Sequence, residues 1–145
     1  MNKKVFILKC LFDNLVVSIA MSITASILST TWNIYTLITI PFGFVISTIF
    51  TSLVPMGKVT NWFSSLFNIK ENSLLSELVG GLFTNIFITA LVSFSCKLLI
   101  FKGDLSVTLT IFFQTYVVMY IVSYIVYQIT NYLSKLVAIK ISKKD

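Results

Sequence analysis

Long apolar runs alternate with short polar punctuation along this chain, the runs beginning near Leu11, Leu37, Leu74 and Leu105. A helix that crosses a bilayer needs about 20 mostly apolar residues to span about 30 Å of hydrocarbon. Each run reaches or approaches that length. The pattern predicts four spanning helices, at Leu11–Thr31, Leu37–Val54, Leu75–Ile100 and Leu105–Tyr127. The first resembles a signal peptide in having Lys3 and Lys4 ahead of it. However, Lys9, Asp13 and Asn14 interrupt it early and no small-x-small cleavage site follows, so it is read as a retained span. Lys9 before Cys10 also argues against a lipoprotein attachment site.

Between the second and third runs, Val59, Trp62, Phe63 and Leu66 recur at three- and four-residue spacing, with Thr60, Asn61, Ser64 and Ser65 opposite. That spacing predicts an amphipathic helix over residues 58–69, lying in the inner headgroup layer. Ser73 is placed to cap the third span, with Glu77 in its first turn facing the positive end of the helix dipole. The turn at Phe101-Lys102-Gly103-Asp104 is so short that the spans it joins must be antiparallel neighbours. Past Tyr127 the last helix is expected to continue beyond the bilayer. Val45-Ile46-Ser47 with Ile49 is echoed by Ile121-Val122-Ser123 with Ile125, consistent either with an internal repeat of two hairpins or with chance similarity between apolar helices.

Lysines orient the spans. All eleven basic residues are lysines, and there is no histidine. Lys3, Lys4, Lys9, Lys58, Lys70, Lys135, Lys140, Lys143 and Lys144 fall on one side, against Lys97 and Lys102 near the other. By the positive-inside rule, both termini and the middle loop are cytoplasmic. Trp32 and Tyr35 then suit the outer interfacial belt. The expected fold is all-α: an integral membrane four-helix bundle of two antiparallel hairpins, forming a single membrane domain over residues 1–145 of a bacterial cytoplasmic membrane protein.

Composition narrows the chemistry. At 57% hydrophobic and 11% charged residues, the chain is more apolar than an ordinary soluble domain. Without histidine or arginine it lacks the commonest general base, the commonest metal ligand and the usual bidentate phosphate clamp. Cys10 and Cys96 show no metal-ligand spacing and are expected at opposite ends of the bilayer, as free packing residues. No catalytic, metal or cofactor site is expected, and no nucleic-acid partner. The basic ends suit anionic lipid headgroups, although plain positive-inside anchoring requires the same lysines.

Polar residues inside spans mark packing faces or pathways. Asn14, Ser18, Ser22 and Ser26 recur every fourth residue in the first span; Gly43, Ser47, Thr51 and Pro55 do so in the second; Gly81, Asn85, Thr89, Ser93 and Lys97 in the third. These stripes fit close helix packing, or alternatively a polar pathway lined by Asn85, Gln114 and the hydroxyls. In the last span Tyr116, Tyr120, Tyr124 and Tyr127 share a face above Gln128 and Asn131, a ladder suited to interhelical packing or to a cationic or apolar ligand. Asp13 is expected to pair at the interface with Lys9 or Lys58, the alternative being a proton-coupling carboxylate. Lys97 is expected to snorkel outward along its methylene stem.

Four short spans with an acid in the first resemble the small multidrug-resistance transporters, but the residues around Asp13 do not reproduce that family's motif. Met21-Ser22 with Thr24, Gly43-Phe44-Val45-Ile46, and Pro55 followed by Lys58 resemble a family of small bacterial inner-membrane proteins, a domain of unknown function built from a two-helix unit. That resemblance covers residues 21–74 and implies the four-helix architecture in members carrying two units. It brings no assigned activity. In the second hairpin the Pro-and-Lys exit is replaced by Ile129-Thr130-Asn131 and Lys135. Three functions are weighed: a non-enzymatic protein acting through helix–helix contacts with a second copy or another membrane protein, a small homodimeric transporter, and a holin-like permeabiliser.

Overall fold

The computed structural model describes residues 3–29, 34–71 and 73–142, with the side chains of 7–28, 37–71 and 73–137. Trp32 lies outside the described residues. The side chains of Tyr35, Lys3, Lys4, Lys140, Lys143 and Lys144 lie outside them too, so the outer belt and the terminal part of the lysine pattern are not described. The described chain is helical throughout: α1 (Lys3–Ser29), α2 (Ile34–Leu53), α3 (Met56–Ser65), α4 (Leu74–Ile100) and α5 (Leu105–Ser142). Three stretches, Ile7–Leu28, Leu74–Ile100 and Leu105–Val137, are long and apolar enough to cross a membrane.

The helix ends follow local chemistry. The α2–α3 break falls at Pro55, which has no N–H to continue the ladder, and the axis bends there by 65°. Taken together across this bend, α2 and α3 also pass as a membrane-crossing segment. Inside α2, Pro41 leaves one carbonyl without its usual amide. At the start of α4, the Ser76 amide donates to Ser73 Oγ at 3.1 Å. Its other end closes with the Gly103 amide donating to Leu98 O at 2.9 Å, while Lys102 and Gly103 take positive φ of 51° and 85°. Glycine adopts that backbone without the Cβ clash that strains other residues. Asp104 Oδ1 then accepts from the Val107 amide and starts α5.

Helices α1, α2, α4 and α5 touch in a closed cycle: α1 packs on α2 and α5, and α4 packs on α2 and α5. Helix α3 lies against α4. What fills the centre is unlike a soluble core. Among the described residues only Val17, Met21, Val92 and Met119 are buried hydrophobics, whereas the buried serines, threonines and other polar side chains outnumber them. Large apolar residues instead cover the exterior, as at Phe113 (72% exposed), Val117 (63%) and Leu53 (77%). In water so continuous an apolar exterior would be heavily penalised; in lipid it carries no such cost.

Most of the stripes read from the sequence face inward, although Asn14 and Thr51 are only half-buried and Pro55 is exposed. Ser18, Ser22 and Ser26 of α1, Ser47 of α2, and Gly81, Asn85, Thr89, Ser93 and Lys97 of α4 are buried. Small residues there let backbones approach. A Cβ on Gly43 of α2 would sit 3.2 Å from Val92 and 3.4 Å from Cys96.

Helix α3 carries the amphipathic pattern read from the sequence. Its polar face turns toward protein: Ser64 is fully buried and donates to Ser76 O at 3.0 Å, while Thr60 lies over Gly80. Trp62 and Leu66, about 60% exposed, point away, and Phe63 stacks on Phe83 at 4.2 Å. A backbone-to-backbone crossing at a glycine suits short hydroxyl side chains, which bond to the nearby carbonyls. The helix also ends at Ser65, short of residue 69, where Asn68 takes a positive φ of 55°.

Candidate functional site

The polar side chains gather in three layers along the helix axes. In the first layer, Lys9 of α1 reaches Asp13 Oδ2 at 2.8 Å and Asn131 Oδ1 of α5 at 2.7 Å. Asp13 is 5% exposed, and its second oxygen, Oδ1, is buried without a partner. Of the two lysines the sequence offered Asp13, the structure places Lys9 beside it, one helical turn away. An ammonium shared between a carboxylate and an amide oxygen ties α1 to α5. At the same level Glu77 of α4 pairs with Lys135 of α5. Glu77 thus faces the helix dipole and also joins two helices.

The middle layer joins α4 to α5. Asn85 Nδ2 donates to Ser123 Oγ at 2.8 Å and lies 3.4 Å from Tyr120 O, and the Thr89 and Ser123 hydroxyls share a hydrogen bond of 2.6 Å. Asn85, Thr89 and Ser123 are all buried. Beside them runs the tyrosine ladder. The hydroxyls of Tyr116, Tyr120 and Tyr124 donate to the carbonyls of Ile86, Leu82 and Leu78, at 2.9, 2.9 and 3.1 Å. Consecutive rings stack 6.3 and 6.4 Å apart. A peptide oxygen has two lone pairs and can accept a second bond beside its helical one. The ladder's hydroxyls are therefore spent on the neighbouring helix.

Gln114 does not join this cluster. It lies on the exposed side of α5, apart from Asn85, so the two do not line one pathway. The reason is angular. At about 100° per residue, Gln114 falls roughly 180° from Ser123, which faces α4.

In the third layer, Lys97 corrects the outward-snorkelling expectation. It is 5% exposed, its ammonium donates to Ser93 Oγ at 2.7 Å, and it stands 5.9 Å from the centre of the Phe112 ring. The stem lies along α4 toward Ser93, one turn back, because Cβ bonds tilt toward a helix's N-terminus. Beside it is a cavity of about 20 Å³, lined by Ser22, Thr39, Val92, Cys96 and Met119 among others. That is room for little more than one water. Cys96 Sγ contacts Thr39 O at 3.8 Å, and both cysteines are free. Between α1 and α2, Asn14 donates to Thr51 at 3.0 Å and Thr39 to Ser22 at 3.2 Å.

An open cleft of about 290 Å³ separates the α2–α3 bend from α4, lined by Phe50, Val54, Met56, Val59, Phe83, Thr84 and Phe87. Its walls are apolar apart from Thr84, whose hydroxyl is bonded to Gly80 O. Among the described residues no three histidine, cysteine, aspartate or glutamate side chains gather where they could hold a metal. Sequence reasoning missed Ser123 as the hub of the middle layer and Asn131 as a second acceptor for Lys9. The four-residue step from Tyr120 to Tyr124 drew the eye on α5, whereas Ser123 sits one position off that row. Comparison of the chain with protein-family models, curated proteins and solved structures finds no match.

Proposed function

We propose that this chain is a four-span protein of a bacterial cytoplasmic membrane, non-enzymatic, that works through helix–helix contacts within the bilayer. In this reading α1, α2, α4 and α5 cross as two antiparallel hairpins with both termini cytoplasmic, and α3 rests at the inner interface. The basic ends meet anionic headgroups, and the resemblance over residues 21–74 to a two-helix family is kept as its proposed kinship.

One observation carries the reading: the polar groups that would line a route, Asp13, Asn85 and the tyrosine hydroxyls, are each engaged by a neighbouring side chain or carbonyl. Asp13 meets Lys9, Asn85 meets Ser123, and three tyrosine hydroxyls meet α4 carbonyls. A transport route needs polar groups facing a shared water-filled space. Here Asp13 and Asn85 belong to separate, closed layers. The geometry therefore favours a packed interaction module over a proton-coupled carrier.

Reconstituted proteoliposomes loaded with a pH-sensitive dye test this directly. The purified chain should dissipate an imposed proton gradient no faster than empty vesicles, with or without an added lipophilic cation. A flux that requires the protein and is lost in Asp13→Asn would sink the reading and restore the transporter. Dye leakage without selectivity would restore the permeabiliser. The orientation is tested with a single cysteine at Lys102, which a membrane-impermeant thiol reagent should label from outside intact cells.

A further inference from the structure

Gln114 departs from the pattern of the middle layer, because it faces outward rather than into the bundle. The polar side chains of the central layer turn inward and are bonded, yet this primary amide points away from every neighbouring helix. No hydrogen bond to its side chain is formed within the described residues. Its position makes that costly. It lies ten residues beyond Asp104, which marks the outer end of α5, or about 15 Å along the axis at 1.5 Å per residue. That depth is near the middle of a bilayer core about 30 Å thick. Hydrocarbon offers an amide no partner, so an exposed glutamine at this depth calls for protein.

The surroundings of Gln114 form a seam. Thr110, Gln114, Val117 and Ile121 follow one another at four-, three- and four-residue steps and are all exposed. That is the spacing of a face that packs along a second helix. The outer part is the more polar, with Ser106 and Thr110 each one turn above the next; the inner part is β-branched and apolar. Thr110 already donates to Ser106 O at 3.0 Å, so on this outward face the Gln114 side chain is the larger polar group left without a bond among the described residues.

We propose that two copies of this chain pair through the outward face of α5, about a two-fold axis along the membrane normal, with the two Gln114 amides hydrogen-bonded to each other. The amide's own chemistry selects this occupant. A primary amide carries both donors and an acceptor, so an identical group brought up by two-fold symmetry satisfies it reciprocally. Neither a lipid chain nor a charged partner offers that match. A symmetric interface also places each seam residue opposite its own counterpart or near neighbour. The proposal rests on the membrane reading above only in requiring that α5 cross the bilayer.

Cysteine cross-linking in liposomes of phosphatidylethanolamine and phosphatidylglycerol tests the pairing. In full-length chains with Cys10 and Cys96 replaced by alanine, single cysteines at Val117 or Ile121 should oxidise readily to disulfide-linked dimers. Cysteines at the exposed Ile23 of α1 and Leu91 of α4 should not. Resonance energy transfer between labelled copies, diluted with lipid, should then show association weakened about tenfold in Gln114→Leu and largely kept in Gln114→Asn, the factor expected when an intramembrane amide pair worth about 1.4 kcal/mol is lost. Equal cross-linking at seam and control positions overturns the proposal. So does a Gln114→Leu chain that associates as tightly as the wild type. A cross-linked product that forms in native membranes but not with the pure chain points to a different protein and also overturns it. Resistance to alkaline extraction is read in parallel. A chain that stays in the membrane but remains monomeric strikes only the dimer, whereas a chain released by alkali strikes the membrane reading itself.

Discussion

Gly80→Ala is the sharpest probe of how α3 is held. A Cβ at Gly80 would lie 2.4 Å from Thr60 Cγ2, 2.6 Å from the Thr60 carbonyl oxygen and 2.9 Å from its Cα. Two of those atoms are backbone, so rotating a side chain does not relieve the overlap. Ordinary contact begins near 3.4 Å, and the difference from the 2.6 Å approach to the carbonyl oxygen requires α3 to retreat by roughly 0.8 Å. The Ser64 hydroxyl, now 3.0 Å from Ser76 O, would move out of hydrogen-bonding range. The stack of Phe63 on Phe83 would also loosen.

Overpacking of this kind costs about 1–3 kcal/mol. Alanine's advantage over glycine inside a helix returns about 0.5–1 kcal/mol, so a net loss on the order of 1–2 kcal/mol is expected. Gly81→Ala supplies the internal control. Its Cβ would crowd only Gln128 Nε2, at 2.8 Å, the far end of a flexible side chain that can swing away, with the Tyr124 and Tyr127 rings at ordinary contact distance. That variant should be neutral or slightly stabilised. The assay is denaturant unfolding in detergent micelles, with Trp62 emission as a local readout in a Trp32→Phe background; Trp62 stands 6.2 Å from Phe83 and reports α3 docking. Equal stability of the two alanine variants, with unchanged Trp62 emission, would refute the close α3–α4 crossing.

Three further outcomes are expected. Tyr120→Phe removes one rung of the ladder and should cost only about 0.6 kcal/mol, the usual scale of an intramembrane hydrogen bond, whereas changing Tyr116, Tyr120 and Tyr124 together should cost visibly more in the same unfolding assay. Lys97→Met should be neutral or stabilising by about 1 kcal/mol, since the buried ammonium has a hydroxyl and a ring for company but no carboxylate; a marked loss of stability would contradict that account. Asp13→Leu should destabilise more than the double change Asp13→Leu with Lys9→Met, because the single variant strands a largely buried ammonium. A double-mutant cycle with no coupling between the two sites would count against the pair.

Much of this architecture was legible because lipid imposes a simple code. Apolar length marks a candidate crossing, and hydroxyls recurring every fourth residue mark an inward face; Asn85, Thr89 and Ser93 obey it. What escaped depended on pairing between helices. Nothing in the spacing of α5 distinguishes Gln114, which faces out, from Ser123, which faces in, until the face that meets α4 is known. Lys97 was misread because a lysine near a helix end can extend either way, and Ser93 one turn back decides the direction. The facing of α3 has the same origin. An amphipathic pattern identifies two faces without saying which one meets protein, and Gly80 on another helix makes the polar one fit.

The tyrosine ladder has a mechanical corollary. Its three rungs are spaced one helical turn apart on both helices, like teeth on two racks, and they engage together or not at all. Sliding α4 along α5 by a fraction of a rung would disengage every hydroxyl at once, so the neighbouring register lies four residues away, about 6 Å. Inserting a single residue within α4 between Leu78 and Ile86 would swing part of the rack about 100° off the teeth. The ladder thus resists sliding of α4 along α5 as a gear resists slipping, in addition to holding the two helices together.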